Sequence, residues 1–108
     1  MTEKEIGRLI GLACRAGKIR SGEFSVEESI KTGKSRLCII ACDASEKSKK
    51  HIHDMCSYRS IAAYDSKFTK DELGHCIGRD ERSAVTVEDR GFAEHILELI
   101  EGGSACGK

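Results

Sequence analysis

A basic segment around a glycine contains the residues of this chain that are best suited to binding a ligand. Residues 15–59 carry ten Lys and Arg side chains against six Asp and Glu, a balance of +4, whereas residues 60–108 carry six against ten, a balance of −4. The zero net charge of the whole chain therefore conceals a basic region that can attract an anion. Gly22 lies within this region and can begin a helix, whose first backbone N–H groups bind anions. The pattern predicts an anion-binding surface around Gly22.

An aromatic residue outside the core is predicted beside this glycine. On a helical wheel Phe24 lies about 160° from Val26, which belongs to the apolar stripe of the same predicted helix. An aromatic ring next to Lys and Arg is typical of a platform on which unpaired nucleotides stack. The alternative, that Phe24 covers a neighbouring loop, stays open at this point. The cations that flank the helix are Arg15, Lys18, Arg20, Lys31, Lys34 and Arg36.

Six cysteines, at positions 14, 38, 42, 56, 76 and 106, raise the question of disulfides, metal binding and redox chemistry. The first residues lack the basic and apolar segments of a secretory signal, so a disulfide framework is not expected. Cys38 and Cys42 would lie about 13 Å apart on a strand, and His51 and His53 point to different sides of a helix. The favoured interpretation is reduced thiols packed as small hydrophobic side chains, without a metal or other cofactor. A metal site and redox chemistry are the alternatives.

Two further patterns do not predict catalysis. The sequence Gly33-Lys34-Ser35 resembles the end of a phosphate-binding loop, but Glu28 stands where that motif needs a glycine. The motif also needs a strand before it and a helix after it, whereas here the predicted order is reversed. The four histidines fall within predicted helices, without a nearby nucleophile on a sharp turn and a third residue to orient them. We therefore expect a protein that is not an enzyme.

The elements that position these residues alternate between helix and strand. Residues 37–42 are six consecutive apolar or small side chains, which is typical of a strand buried on both faces. Asp43 and Ser45 follow, and both are residue types that start helices, so this strand leads to a helix start at one end of the sheet. The whole pattern predicts five helices and four strands in alternation. Because the central strand needs helices on both faces, we predict an α/β fold with a three-layer α/β/α arrangement.

Length and composition predict a single domain. The chain of 108 residues has an ordinary small-domain size. We predict one domain over residues 1–101 and a flexible, glycine-rich tail over residues 102–108. No apolar run approaches the roughly 20 residues of a membrane span, so a cytoplasmic protein without a membrane partner is expected.

Six short segments of the chain carry a family resemblance. They are residues 9–18 (LIGLACRAGK), 21–23 (SGE), 29–37 (SIKTGKSRL), 41–45 (ACDAS), 72–78 (ELGHCIG) and 89–93 (DRGFA). In this order they resemble the kink-turn-binding ribosomal protein family of the L7Ae type, and within it the small bacterial YlxQ branch. The resemblance covers nearly the whole chain. It implies an α/β/α sandwich around a four-stranded mixed sheet, and it implies non-catalytic RNA binding.

The resemblance assigns roles at the start of the second helix. In that family the helix begins with Gly-x-Asn-Glu-x-x-Lys, which reads the sheared G·A pairs of a kink-turn RNA. Gly22 matches the glycine of this motif. Phe24, Ser25 and Glu28 stand where the family has Asn, Glu and Lys.

Two further positions complete the candidate surface. Asp43 matches the aspartate that ends the central strand of the family, and Arg82 lies in the loop before the last strand. We predict that Lys and Arg neutralise phosphates, that Gly22 admits the RNA backbone and that Phe24 stacks on a base. The candidate RNA-binding residues are Lys18, Arg20, Gly22, Phe24, Lys31, Lys34, Asp43 and Arg82.

These observations predict a monomer that binds ribosomal or other structured RNA, with a kink-turn among the candidates, in association with the ribosome or with translation factors. The alternative is a protein-interaction adaptor that keeps the fold and has lost kink-turn RNA affinity. Glu23, Glu27 and Glu28 favour the adaptor, because acids on the helix that faces RNA repel phosphate.

Overall fold

Helices and strands alternate along the whole described chain. The structure is a computed structural model that describes the backbone of residues 2–105 and the side chains of residues 4–100. The helices are α1 (Thr2–Arg15), α2 (Glu23–Lys31), α3 (Glu46–Arg59), α4 (Lys70–Cys76) and α5 (Arg90–Ala105). The strands are β1 (Ile19–Ser21), β2 (Leu37–Ile40), β3 (Ala62–Asp65) and β4 (Ala84–Val87). This order of elements is the one predicted from the sequence.

The four strands form one mixed sheet in the order β1-β4-β2-β3. β4 pairs antiparallel with both β1 and β2, whereas β2 pairs parallel with β3. β1, β2 and β3 therefore run in one direction, and α2, α3 and α4, which follow them, all begin at the same end of the sheet. We call this the Gly22 end; it comprises Gly22 and residues 41–45, 66–69 and 82–83. The opposite end, called the Lys34 end, comprises Lys18 and residues 33–36 and 88–89.

β2 is the buried centre of the sheet. All four of its residues are fully buried, which confirms a strand covered on both faces. The strand ends at Ile40, two residues before its predicted end, because the next two amides bond to loops instead of to a neighbouring strand. The Ala41 N–H donates to the Ser83 carbonyl oxygen and the Cys42 N–H to the Phe68 carbonyl oxygen, both at 2.8 Å. These bonds fix two loops at the Gly22 end.

Two helical layers enclose the sheet. α2 and α3 contact each other, while α1 contacts α4 and α5. Ile6 and Ile10 of α1 and Ile30 of α2 are fully buried against the strands. Each buried side chain of this size stabilises the fold by about 1.5–3 kcal/mol relative to exposure. The predicted three-layer α/β/α sandwich around a four-stranded mixed sheet is confirmed.

Hydrogen-bonded hydroxyls join α2 to β4 inside the core. Thr86 is fully buried, and its Oγ1 donates to the Leu37 carbonyl oxygen at 3.0 Å and lies 2.5 Å from Ser35 Oγ. Ser35 Oγ is in turn 3.1 Å from Ser29 Oγ, and Ser29 donates to the Glu88 carboxylate at 2.6 Å. Ser35 is therefore a core residue, and the Gly-Lys-Ser sequence that contains it follows a helix and precedes a strand. It has the wrong context for a phosphate-binding loop.

The described cysteines are free thiols in different environments. Cys38 and Cys56 are buried, as predicted, and hydrogen bonding by Cys56 lowers the pKa of Cys38 to about 7. The prediction that Cys42 joins the core is wrong: this residue is exposed, because β2 ends two residues before it. The last cysteine, Cys106, lies outside the described residues.

The last helix extends beyond the predicted end of the domain. α5 continues to Ala105, so its final turn lies within residues 102–108, which the sequence predicts to be a tail. Residues 106–108 lie outside the described part, and for them the tail stays a prediction. Within the described residues, no helix is long and apolar enough to cross a membrane.

Candidate nucleic-acid interface

α2 begins at the Gly22 end with a glycine that has a positive φ angle. Gly22 is the N-cap residue, with φ 89° and ψ 149°, and a side chain would be strained in that backbone conformation. Its N–H donates to the Ala84 carbonyl oxygen at 3.1 Å, and its carbonyl oxygen accepts from the Val26 N–H at 2.9 Å. Because glycine has no side chain, the first turn of α2 has no side-chain cap. Such a helix start offers its backbone N–H groups to an anion.

Phe24 lies in the first turn of α2 and exposes its ring. The residue is 79% exposed, as predicted for a position outside the core. A ring with this exposure does not cover a neighbouring loop. Together with Glu27, Glu28 and Lys31 it lines a shallow hollow of about 210 Å³. An exposed aromatic ring beside an uncapped helix start can stack on a flat ligand that carries negative charge, and a nucleotide has both properties.

Arg82 is fixed beside the same helix start. Its Nε donates to the Ser21 hydroxyl at 3.2 Å, and its Nη1 donates to the Glu81 carbonyl oxygen at 3.0 Å. Ser21 is the last residue of β1, so these bonds hold the guanidinium next to Gly22. No carboxylate among the described side chains pairs with Arg82. Its positive charge is therefore available to an anion at the Gly22 end.

Asp43 lies at the Gly22 end but faces α4. Its Oδ1 accepts a hydrogen bond from the Lys70 N–H at 2.7 Å. The start of α4 is also closed by a capping box, in which the side chains of Thr69 and Glu72 each accept from the other's backbone N–H. α3 begins after Ser45, as predicted, with the Ser45 hydroxyl capping its first turn. Of the three helices that begin at this end, α2 alone lacks a side-chain cap.

Glu23, the first residue of α2, is held by two hydroxyl groups. Its Oε2 accepts a hydrogen bond from the Ser48 hydroxyl of α3 and a longer one, at 3.5 Å, from the Ser83 hydroxyl of the loop before β4. These contacts join three elements at the Gly22 end. A role for Ser48 or Ser83 was not predicted, because these serines are 25 and 60 residues away from Glu23 along the chain. No local pattern reports such a contact.

The other two acids of α2 also have partners. Glu27 pairs with His51 of α3 at 3.1 Å, and Glu28 pairs with Arg20 of β1 at 3.8 Å. The prediction that His51 and His53 point to different sides of α3 is confirmed, because His53 bonds to Asp65 of β3 instead. The three acids that favoured an adaptor thus have partners within the protein, and for Glu28 this partner is the cation Arg20.

Several predicted cations lie farther from Gly22. Lys18 is at the Lys34 end, where its carbonyl oxygen accepts from the Glu88 N–H at 2.8 Å. Lys34 follows the C-terminal end of α2, and Lys31 is the last residue of that helix. The nine residues of α2 separate the two ends of the helix by about 13 Å. Arg20 lies midway, opposite Thr86 in the pairing of β1 with β4.

The structure therefore divides the eight candidate residues. Gly22, Phe24 and Arg82 come together around the start of α2, and Asp43 lies at the same end of the sheet but faces α4. Lys18 and Lys34 lie at the opposite end of the sheet, with Arg20 and Lys31 along the path between. No group of three His, Cys, Asp or Glu side chains that could hold a metal ion is found among the described residues. The arrangement offers stacking area and positive charge.

A sequence model of the Ribosomal protein L7Ae/L30e/S12e/Gadd45 family matches residues 4–97. The chain belongs to this family. The matched range contains the whole sheet and all residues of the Gly22 end, so the family assignment covers the candidate interface as well as the fold. The family predicted from the six sequence segments is confirmed.

The chain is also similar to individual proteins. It is 39% identical to the RNA-binding protein YlxQ of Enterococcus faecium over 94 residues, which cover 87% of this chain and 89% of that protein. It is 36% identical to the RNA-binding protein YlxQ of Bacillus subtilis (strain 168) over 93 residues, covering 86% and 92%. A solved structure of a protein with unknown function from Bacillus halodurans C is similar with a TM-score of 0.84 at 32% identity, covering 89% of this chain and 96% of that one. The predicted likeness to the YlxQ branch is confirmed.

Proposed function

We propose that this protein is a non-catalytic RNA-binding protein whose interface is centred on the start of α2. One observation carries the proposal: the exposed ring of Phe24 lies in the first turn of a helix that Gly22 leaves uncapped. The N–H groups of such a helix start bind a phosphate, and an exposed aromatic ring stacks on an unpaired base. The two features are adjacent on one turn of helix, as consecutive groups of a nucleotide require.

The proposed interface gives each candidate residue a role. Gly22 lets the RNA backbone approach the helix start, Phe24 stacks on a base, and Arg82 neutralises a phosphate beside them. Asp43 joins the surrounding loops through its bond to the Lys70 N–H, and its own contact to RNA stays a prediction. The cations that can follow the strand along α2 toward the Lys34 end are Arg20, Lys31, Lys34 and Lys18.

Support for RNA as the ligand comes from the relatives. Two proteins that share more than a third of the aligned residues with this chain are named RNA-binding proteins. We propose that the ligand is structured RNA of the ribosome or of the translation machinery, and that the protein acts as a cytoplasmic monomer. A kink-turn is one candidate, because the chain keeps the glycine of the family motif at Gly22.

The departures from the family motif change how such RNA is read. Phe24 and Ser25 replace the Asn and Glu that hydrogen-bond to base edges, and a phenyl ring has no hydrogen-bonding group. Stacking on an unpaired base is then the main contact of this turn, and it tolerates different base sequences. We propose that the protein recognises RNA by shape and by an unpaired base.

The decisive experiment is a binding titration of the full chain against three RNAs at two salt concentrations. The RNAs are a kink-turn, a simple duplex and a single strand. We expect the kink-turn, which combines paired stems with unpaired bases, to bind most tightly, with an affinity that falls as salt rises. Absence of binding to all three would contradict the proposal and favour the protein-interaction adaptor.

A further inference from the structure

A groove runs between α1 and α4, on the face of the sheet opposite α2 and α3. Two adjoining hollows form it, with volumes of about 520 and 760 Å³, and both are lined by His75 and Cys76 of α4. On α1 the groove extends from Lys4 to Arg15. At 1.5 Å per residue this is about 17 Å, or three turns of helix.

The floor of the groove is apolar. Gly7 and Gly11 of α1 allow close approach to α4, because a Cβ at these positions would lie 3.3 Å from Cys76 Sγ and 3.1 Å from the Cys76 carbonyl oxygen. Burial, and then the nearby Glu72 carboxylate, raise the pKa of the Cys76 thiol, so that it stays neutral at physiological pH. Leu12, which is 49% exposed, adds an apolar side chain at the rim.

The α1 side of the groove carries a row of positive charge. Lys4, Arg8 and Arg15 are spaced by four and seven residues, which places them on one face of the helix. No carboxylate among the described side chains pairs with any of the three. On the α4 side Asp71 and Glu72 lie only at the Lys4 end, and Glu72 is already engaged in the capping box. The groove therefore combines an apolar floor with one cationic wall.

We propose that this groove binds an amphipathic helix of a partner protein. Its apolar face would lie on Leu12 and the groove floor, and acidic side chains along its flank would face Lys4, Arg8 and Arg15. RNA fits less well, because phosphates gain nothing from an apolar floor. The groove and the start of α2 lie on opposite faces of the sheet, so the partner helix and RNA can bind together.

The test uses labelled synthetic peptides of about twelve residues, the length of three helical turns. Each forms an amphipathic helix with Leu on one face and Glu along one flank, and the set varies the spacing of Leu. Matched peptides carry Lys in place of Glu. Fluorescence anisotropy with the full chain should give binding of Glu peptides that is at least about tenfold tighter than that of their Lys counterparts.

Substitutions in the groove test whether the peptides bind there. The double substitution Arg8→Glu with Arg15→Glu, and separately Leu12→Glu, should weaken the Glu peptides by about tenfold or more. The matched control is Lys47→Glu with Arg59→Glu, which changes the charge equally on exposed residues of α3 and should leave the affinity unchanged. All variants alter exposed side chains, and thermal unfolding verifies that each is folded.

Three outcomes would overturn the proposal. The first is a failure of the peptide experiment. Either no Glu peptide binds more tightly than its Lys counterpart, or the groove variants bind the peptides with the same affinity as the unmodified protein. The second is loss of RNA binding in Arg8→Glu with Arg15→Glu, which would assign the groove to nucleic acid. The third is a dimer in sedimentation that Leu12→Glu dissociates, which would assign the groove to a second copy of the chain.

Discussion

The Asp43 carboxylate accepts a hydrogen bond from the Lys70 backbone N–H at 2.7 Å and so joins the end of β2 to the first turn of α4. A carboxylate at this position interacts with the partial positive charge of a helix start. The neighbouring bond from the Cys42 N–H to the Phe68 carbonyl oxygen joins the loops of residues 41–45 and 66–69 at the Gly22 end. A residue selected from the sequence as an RNA contact thus has a structural role.

Replacing Asp43 tests that role. Asp43→Ala should lower the free energy of unfolding by about 1 kcal/mol, because it removes an acceptor at a helix start. Asp43→Asn keeps a hydrogen-bond acceptor and should lower the free energy of unfolding by a smaller amount. Urea denaturation measures both, and Asp80→Ala, which removes an exposed carboxylate from a turn, is the control. Equal stability of Asp43→Ala and the unmodified protein would show that the bond to Lys70 does not contribute.

Phe24 is expected to contribute to RNA affinity without contributing to stability. Phe24→Ala should weaken binding of kink-turn or single-stranded RNA by about 1–3 kcal/mol, the usual contribution of one stacked base. Its unfolding midpoint should not change, since the ring is 79% exposed. Tyr58→Ala removes the other strongly exposed aromatic ring, which is 85% exposed on α3, and should leave RNA binding intact. If both variants bind equally, stacking on Phe24 is excluded.

Variants of Arg82 and Lys34 can show which end of the sheet contacts the RNA phosphates. Each phosphate contact that is removed lowers the slope of log affinity against log salt by about 0.7–0.9. We expect this change in Arg82→Ala, which alters the Gly22 end, and a smaller one in Lys34→Ala. Filter binding over a series of salt concentrations measures both slopes. A similar decrease of the salt slope in the two variants would mean that the RNA contacts both ends of the sheet equally.

Glu28 stands where the family motif has Lys, so Glu28→Lys should strengthen RNA binding. The substitution replaces a carboxylate that repels phosphate with an ammonium group that attracts it. The only ion pair that it breaks among the described side chains is the exposed one with Arg20, which contributes about 0–1 kcal/mol to stability. We expect affinity to rise severalfold at low salt and less at high salt. Glu94→Lys, which changes the charge equally and breaks an exposed pair with Arg90 on α5, is the control. Unchanged affinity in Glu28→Lys would place the RNA away from α2.

The buried hydroxyl of Thr86 should contribute to the stability of the core. Thr86→Val keeps the shape of the side chain but removes the donor to the Leu37 carbonyl oxygen and the partner of Ser35. A loss of about 1–3 kcal/mol is expected, because buried polar groups are left without partners. Urea denaturation should show no comparable loss for Thr32→Val, whose hydroxyl bonds to the exposed Glu28 carbonyl oxygen. A neutral Thr86→Val would mean that the remaining hydroxyls rearrange to satisfy each other.

The order of the elements was predictable because its signals are local. The continuous apolar run from Leu37 predicts a buried strand, and Ser45 and Thr69 are residue types that cap helices. The exposure of Phe24 was likewise predictable from its angle to Val26 on the helix. The burial of Cys42 was predicted wrongly, because the end of a strand depends on which distant groups accept the next amides.

The family, the alternation of helices and strands, and the chemistry of the α2 start, where Gly22 and Phe24 are neighbours on one turn, could all be predicted from the sequence. The folded sheet was needed to show that Arg82 lies beside them and that Lys34 lies at the other end. These positions depend on strand direction. β1, β2 and β3 run in parallel and β4 runs against them, so residues far apart in the chain meet at one end. Strand direction results from the packing of the whole sheet, which no single segment encodes.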